Sequence, residues 1–457
     1  MAGNRLQVSL GTALLLVWIA LVGQSSQAVA AWKAGAARAR ITPVEPMWMA
    51  GYASRDRPAE GKSTDLWAKA LALEDEEGHR AILLTLDLVG IDRTLSAAVC
   101  ERITKRFGLQ RSSIAICTSH THSGPVVGKN LAPMHYELVS VTARQSIEQY
   151  ADQLLVTLID LVGEALEDLE PCTLQHGVGE ATFAINRRNN PQPEVPARRT
   201  AGTLVGPVDH DVPVLAIRSD DKFKAVVFGY ACHATVLSWM QWSGDYPGYA
   251  QIELEQRLPD CQAMFWAGCG ADQNPVPRRT NELAKHYGRR LADAVESVLL
   301  TSKMAVVVPS LETTFSTIDL ELGQLPTLAE LRQVEKSGNR FEQSRARLLL
   351  SQIAAGKPLS QTYPYPIEVW KLGADLRWVM LGGEVVVDYA LRLKSELSGH
   401  LWVAGYSNDV MAYIPSRRVL REGGYEGASS MVYYGLPTLW APTIENAIVK
   451  EVKRQAE

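Results

Sequence analysis

Short apolar runs that end in a polar residue recur along the chain, separated by turns and by longer stretches with helical spacing. Runs of this kind read as buried strands. The first covers residues 34–42 and is stopped by Pro43. Residues 66–74 and 81–88 form a pair around the turn from Asp75 to Gly78, with Asp87 near the end of the second run. Residues 113–118 lead into Ser119, His120, Thr121, His122, Ser123, Gly124 and Pro125. Residues 172–181, and then the pair 212–218 and 225–231, lead to His233. Residues 263–267 run into a glycine-rich turn that carries Asp272 and Asn274. Later runs cover 303–325, the hairpin halves 367–372 and 376–381, and 401–406.

Apolar positions three and four apart predict helices over 94–107, 137–169, 250–257 and 281–300, the first closed by Gly108. Residues 328–355 are highly charged and read as a helix or a helical hairpin. Glu384 opens a helix that runs to Leu397, and the tail is helical from about Thr443. Residues 191–206, rich in Pro, Arg and Thr, read as an exposed loop, and 423–427 as a tight one. This alternation predicts an α/β fold, with mixed β-sheets flanked by helices and the active site at the C-terminal ends of strands. Neither an internal repeat nor a linker is visible, so residues 32–457 are expected to form one catalytic unit.

Composition changes this picture little. Hydrophobic residues make up 46% and charged residues 21% of the 457, ordinary for a soluble globular chain. A net charge of −4 argues against nucleic acid as a partner. The N-terminus changes it more. Arg5 precedes an apolar core over 10–22, and a polar patch from Gln24 to Gln27 leads to Ala28, Val29 and Ala30. Residues 1–31 are therefore expected to be a cleaved secretory signal peptide, which implies a secreted or periplasmic protein. Export permits disulfides among the six cysteines. Cys100, Cys172 and Cys261 are the better candidates, because Cys117, Cys232 and Cys269 lie in or beside apolar runs.

Strands ending at Asp87, at His120 and His122, at His233, at Asp272 and near Glu384 would gather polar side chains at one kind of position. Two histidines with a carboxylate suggest a metal site with an open position, for which zinc is the natural ion. Each residue also has a plainer reading. His120 and His122 can be a structural pair, His233 a core histidine, and Glu384 an acidic residue at a helix start. Asp272 and Asn274 can be turn residues, and Tyr413 and Tyr425 packing aromatics.

The combination resembles the neutral/alkaline (non-lysosomal) ceramidase family, a group of zinc amidases. The resemblance runs in order through residues 37–42, Met49 to Tyr52, 66–73, 81–88, and Thr118 to Pro125, its most specific piece. It continues through Asn186-Arg187, Val208-Asp209, His233 with Gly244 to Ala250, Gly383-Glu384, Ser407 to Tyr413, and Tyr425-Glu426-Gly427. It implies an exported amidase that cleaves an N-acyl, lipid-like amide with zinc-activated water. Zn2+ would be held by His120, His233, Glu384 and Tyr413. His122 would sit beside the scissile carbonyl, Tyr425 would stabilise the oxyanion, and Arg187 would face the substrate. A lipid amide would bring peripheral membrane contact and a place in lipid metabolism.

Two departures matter. Asn274 stands where the family carries a serine, and an amide side chain is not a nucleophile, so an acyl-serine route is excluded there. The chain also ends soon after the tyrosine motifs, so the expectation is the catalytic domain without the family's C-terminal immunoglobulin-like domain. Two rivals follow. One is a hydrolase of a polar amide or ester, its pocket shaped by residues 327–366 and by Arg187, Arg188, Arg198 and Arg199. The other is a non-catalytic binding protein of the same fold. A deep apolar tunnel above the metal would favour a lipid substrate, and a shallow polar cleft a polar one.

Overall fold

The two runs around the Asp75 turn, Trp67–Glu74 and Arg80–Leu86, pair antiparallel inside a larger mixed sheet. The computed structural model describes residues 1, 3, 32–300 and 303–457. The expected signal peptide, residues 1–31, lies outside the described residues apart from Met1 and Gly3. Across the sheet the order is Ile114–Thr118, Arg80–Leu86, Trp67–Glu74, Trp32–Arg40, Glu170–Glu180, Asp211–Ser219, Lys222–Tyr230 and Gln262–Ala267. The short strand Ala305–Val307 is added beside Glu170–Glu180.

The sheet repeats one connectivity. In each half three antiparallel strands are followed by a helix and then a parallel strand at the edge. The edge strands are Ile114–Thr118 and Gln262–Ala267, and His120 follows the first of them. The repeat lies in connectivity rather than in a residue pattern, which is why the sequence does not display it.

A second sheet, ordered Leu311–Glu321, Thr362–Leu372, Leu376–Leu381 and His400–Ala404, faces the first. Trp266, Trp370, Trp378 and Trp402 fill the space between the sheets and are fully buried. The helices Arg93–Phe107 and Val141–Glu167 cover the outer face of one half of the large sheet. Asp245–Arg257 and Asn281–Leu299 cover the other half, and Val387–Glu396 and Ile444–Ala456 cover the second sheet. Helix, sheet, sheet and helix form four layers, the α/β class expected. Among the described residues no helix is long and apolar enough to cross a membrane.

Layer spacing is tightest at Gly35. A Cβ there would overlap the Ala165 carbonyl and lie 2.8 Å from the Asp168 carbonyl carbon. The obstacle is helix backbone, which cannot rotate away as a side chain can. Gly35→Ala is expected to cost about 2–3 kcal/mol, within the usual range for overpacking. A lower denaturant midpoint at constant slope reads this, and an unchanged midpoint would show that the layers can part.

Several local expectations are corrected. Residues 191–206 hold a helix, Val195–Ala201, with Pro196 in its first turn and Gly202 closing it in the left-handed conformation. Proline suits a first turn, where its missing N–H has no partner to lose. Residues 424–427, expected as part of a tight loop, form a helical turn. The charged stretch is a hairpin, Leu328–Ser337 and Arg340–Ala354, each helix started by a capping box (Thr327 with Glu330, Asn339 with Glu342). All six cysteines, including the candidates Cys100, Cys172 and Cys261, are buried and free. Burial in apolar surroundings, not bridging, accounts for them, and it pushes the Cys100 thiol up to about 11. Glu384 does not open a helix. It lies in a two-residue strand, Glu384–Val385, and the helix starts at Val387.

Candidate metal centre

The two histidine-bearing ends belong to opposite halves of the large sheet, and one returning segment draws them together. After the strand His400–Ala404 the chain crosses between both edge strands. Ala404 bridges to Gly268, and Ser407 bridges to Cys117. The Asn408 N–H donates to the Ile116 carbonyl at 2.7 Å, and the Gly405 N–H to the Ala267 carbonyl at 3.0 Å. The same segment then delivers Tyr413, which pairs in parallel register with Glu384. Gly383 makes that pairing possible, because at φ +76° a Cβ would meet Ile414 Cγ1 at 2.6 Å and the Ala412 carbonyl oxygen at 2.7 Å. His120 itself sits at φ 57°, a left-handed conformation that costs about 1–3 kcal/mol outside glycine and is held by its surroundings.

Side chains converge accordingly. Glu384 Oε2 lies 3.2 Å from His120 Nε2 and 3.2 Å from His233 Nε2. The Tyr413 hydroxyl lies 3.3 Å from His233 Nε2. Both imidazoles are oriented from behind: His120 Nδ1 donates to the Val89 carbonyl at 2.5 Å, and His233 Nδ1 to the Gly270 carbonyl at 2.9 Å. A carbonyl only accepts, so each Nδ1 carries a hydrogen, and a ring that carries no second one turns its Nε2 lone pair inward. Burial first, and then Arg187, lower His233 to about 4, so its ring is neutral near pH 7. Burial opposes ionisation of Glu384, yet His120 and His233 outweigh it and hold the carboxyl well below the usual range. Glu384 Oε1 accepts from the Tyr434 hydroxyl, while Oε2 is buried without a hydrogen-bond partner.

With both rings neutral, the two Nε2 lone pairs and Glu384 Oε2 face one another at 3.2 Å with no hydrogen between them, and they repel unless a cation lies among them. Zinc bonds of about 2.0–2.1 Å in a tetrahedron put neighbouring ligand atoms about 3.3 Å apart, close to the separations here. The donor set therefore fits a zinc-sized cation.

His122 is beside this group. Its Nε2 is 3.1 Å from His120 Nε2, and the three imidazoles His120, His122 and His233 offer nitrogens within 4.8 Å of one another. Unlike the other two, its Nδ1 is buried with no partner. Burial and the neighbouring His120 and His233 hold its pKa well below the ordinary value. Its ring packs 4.8 Å from that of Tyr52 and fills the space over Gly51, where a Cβ would sit 2.5 Å from His122 Cγ. Arg55 Nη2 donates to the His122 carbonyl at 2.6 Å and fixes the backbone.

On the other side Arg187 reaches three groups. It donates to Glu426 at 2.7 Å, to Asn274 Oδ1 at 3.2 Å and to the Tyr413 hydroxyl at 3.1 Å. Asn274 is placed there by the strand pair Gln273–Pro275 with Ala184–Asn186. The Tyr425 ring stands 5.3 Å from that of Tyr413, at the surface. His120, His122, His233, Glu384, Tyr413, Arg187, Asn274 and Tyr425 thus gather in one region. Asp87 and Asp272 do not join the cluster. Asp87 accepts from the Trp67 N–H, and Asp272 from the Val387 N–H and Asn186, so both brace backbone. Arg198 pairs with Glu194, and Arg199 donates to the Val276 carbonyl.

Sequence reasoning missed Tyr434, which holds Glu384, and Tyr406, whose ring packs 4.3 Å from that of His120. Both look like core aromatics in one dimension. Arg340 of the charged hairpin donates to the Ala53 carbonyl, and Phe341 packs on Tyr433, so the hairpin leans on loops that flank the site. Outside Tyr413 opens a cleft of about 750 Å³, walled by Arg187, Arg188, Asn274, Arg278, Tyr425 and Glu426 among others. It is polar, not an apolar tunnel.

Residues 32–269 match the family described as neutral/alkaline non-lysosomal ceramidase, N-terminal. Neutral ceramidase 2 of Arabidopsis thaliana is 28% identical over 271 residues, 58% of this chain and 34% of that protein. The neutral ceramidase of Drosophila pseudoobscura is 36% identical over 114 residues, 24% of this chain and only 16% of the relative. The neutral ceramidase of Pseudomonas aeruginosa is 22% identical over 474 residues, covering 88% of this chain and 69% of its own length. The crystal structure of neutral ceramidase from Pseudomonas aeruginosa superposes with a TM-score of 0.72 at 18% identity, over 93% of this chain and 74% of the other. The fold is shared.

Proposed function

Because the chain belongs to the neutral/alkaline non-lysosomal ceramidase family, we propose that it is a zinc-dependent amidohydrolase that cleaves an N-acyl amide. The observation that carries this reading is the convergence of His120 Nε2, His233 Nε2 and the partnerless Glu384 Oε2 at 3.2 Å. His120, His233, Glu384 and Tyr413 are the residues that would hold the ion. When bound, zinc supplies a Lewis acid and brings the pKa of water toward neutrality.

The chain's own groups do the rest. The Val89 and Gly270 carbonyls keep both imidazoles in one tautomer, and Tyr434 keeps the Glu384 carboxylate turned inward. Arg187 sets a positive charge against the Tyr413 oxygen. His122, whose Nδ1 is uncommitted, is placed to hold or move a proton at the substrate amide. Tyr425, at the cleft wall, offers a hydroxyl to the oxygen that gains charge. Asn274 cannot attack; its role here is to anchor Arg187, so the nucleophile is water. The N-terminal pattern of Arg5, the apolar core and Ala28 to Ala30 supports the further proposal that this happens outside the cytoplasm.

The relatives' names point to ceramide. A polar amide or ester is the second reading, favoured by the polar lining of the cleft. Assays on N-acylsphingosine, an N-acyl amino acid and an N-acetyl sugar separate the two. Chelation should abolish turnover and one equivalent of zinc restore it. Full turnover after chelation overturns the metal reading, and no hydrolysis of any amide or ester by zinc-loaded protein leaves only a binding protein of the same fold.

A further inference from the structure

Charge in the cleft is not balanced. Three arginines face it, Arg187, Arg188 and Arg278, against two glutamates, Glu422 and Glu426. Both glutamates are already engaged. Glu426 takes Arg187 and Arg188, and Glu422 takes Arg188 and Arg418. Arg278 is left with neutral partners: its Nε donates to Gln192 at 3.0 Å and its Nη1 to the Thr235 hydroxyl at 3.3 Å. Nη2 has no hydrogen-bond partner among the described residues, and no carboxylate pairs with this side chain. Burial and the adjacent Arg279 lower the guanidinium to about 10. A half-buried, unpaired cation is costly unless an anion completes it.

Position matters as much as charge. Thr235 lies two residues after His233, and the cleft that Arg278 lines is also lined by Asn274, Arg187 and Tyr425, which touch or adjoin Tyr413. An anion at Arg278 would therefore sit within one small molecule's length of the metal centre. A guanidinium fork suits a planar carboxylate.

We propose that the cleft binds a carboxylate carried by the amide substrate, that the substrate class is N-acyl amino acids, and that Arg278 is the specificity-determining residue. This rests on the amidohydrolase reading of the same site. The arginines named from the sequence as candidates for this task, Arg187, Arg188, Arg198 and Arg199, are occupied by carboxylates or, for Arg199, by backbone carbonyls.

The test is a calorimetric titration of zinc-loaded protein with two non-hydrolysable probes. These are the ketomethylene analogues of N-lauroylglycine and of N-lauroylethanolamine, which share the acyl chain and differ in carboxylate against alcohol. Wild type should bind the carboxylate more tightly. In Arg278→Met the ratio of the two dissociation constants should fall about tenfold, the size of one charge-assisted hydrogen bond. Arg278→Lys, a point charge without the fork, should recover part of it, and matched melting temperatures exclude misfolding. Equal binding of both probes by wild type, or equal weakening of both in Arg278→Met, overturns the proposal. Binding is read without turnover. If the carboxylate binds selectively and neither parent amide is hydrolysed, the amidase reading fails while the subsite stands.

Discussion

Alanine at both His120 and His233 should leave the protein folded, strip it of zinc and lower amide turnover at least about a thousandfold. The two imidazoles supply two of the converging lone pairs, and without them Glu384 and Tyr413 are the only donors of the implied set. Both residues are 1% exposed, so removing their rings leaves cavities, and some stability is lost. Elemental analysis for zinc per chain, beside circular dichroism for fold, separates metal loss from unfolding. A folded double variant that keeps one zinc per chain would refute the centre outright.

His122→Asn should do the opposite: keep the zinc and still slow turnover by about 10²–10⁴, the usual worth of a positioned proton-transfer group. His122 comes within 3.1 Å of His120, so a site of three histidines is the competing arrangement. Two features separate them. Glu384 Oε2 touches His120 and His233 and not His122. His122 Nδ1 has no carbonyl behind it, so nothing presets its inward nitrogen as an acceptor, whereas both other rings are preset. The expected loss falls on kcat with KM little changed. Loss of zinc from His122→Asn would instead assign the three-histidine set.

The strands, most helices and the α/β class with mixed sheets flanked by helices were legible because strand and helical spacings are local consequences of which face is buried. The helix at Val195–Ala201 was missed because proline and arginine looked like loop chemistry, although proline in a first turn starts a helix as readily as it ends one. Tyr434 and Tyr406 were missed for a different reason. Nothing near them in the chain distinguishes a tyrosine that packs from one whose hydroxyl orients a carboxylate 50 residues away.

His120, His122, His233 and Glu384 could be named in advance because the sequence carries their identities and their places at or near strand ends, and Tyr413 because of the resemblance to the ceramidase family. Their meeting could not. His120 and His233 follow opposite halves of one sheet, and Glu384 and Tyr413 follow strands of the second. The segment from Ala404 to Asn408, stitching both edge strands, closes the distance, together with direct bonds from the His122 N–H to the Ala234 carbonyl and from the Ser243 N–H to the Ser123 carbonyl. The unpaired charge of Arg278 was equally hidden, since whether a guanidinium is free depends on which carboxylates the fold has already spent on its neighbours. Sequence alone determined the donor atoms and the layers that carry them, because residue type and periodicity are written locally. Tertiary structure decided which lone pairs face one another and which cation is left over, because both depend on contacts between segments hundreds of residues apart.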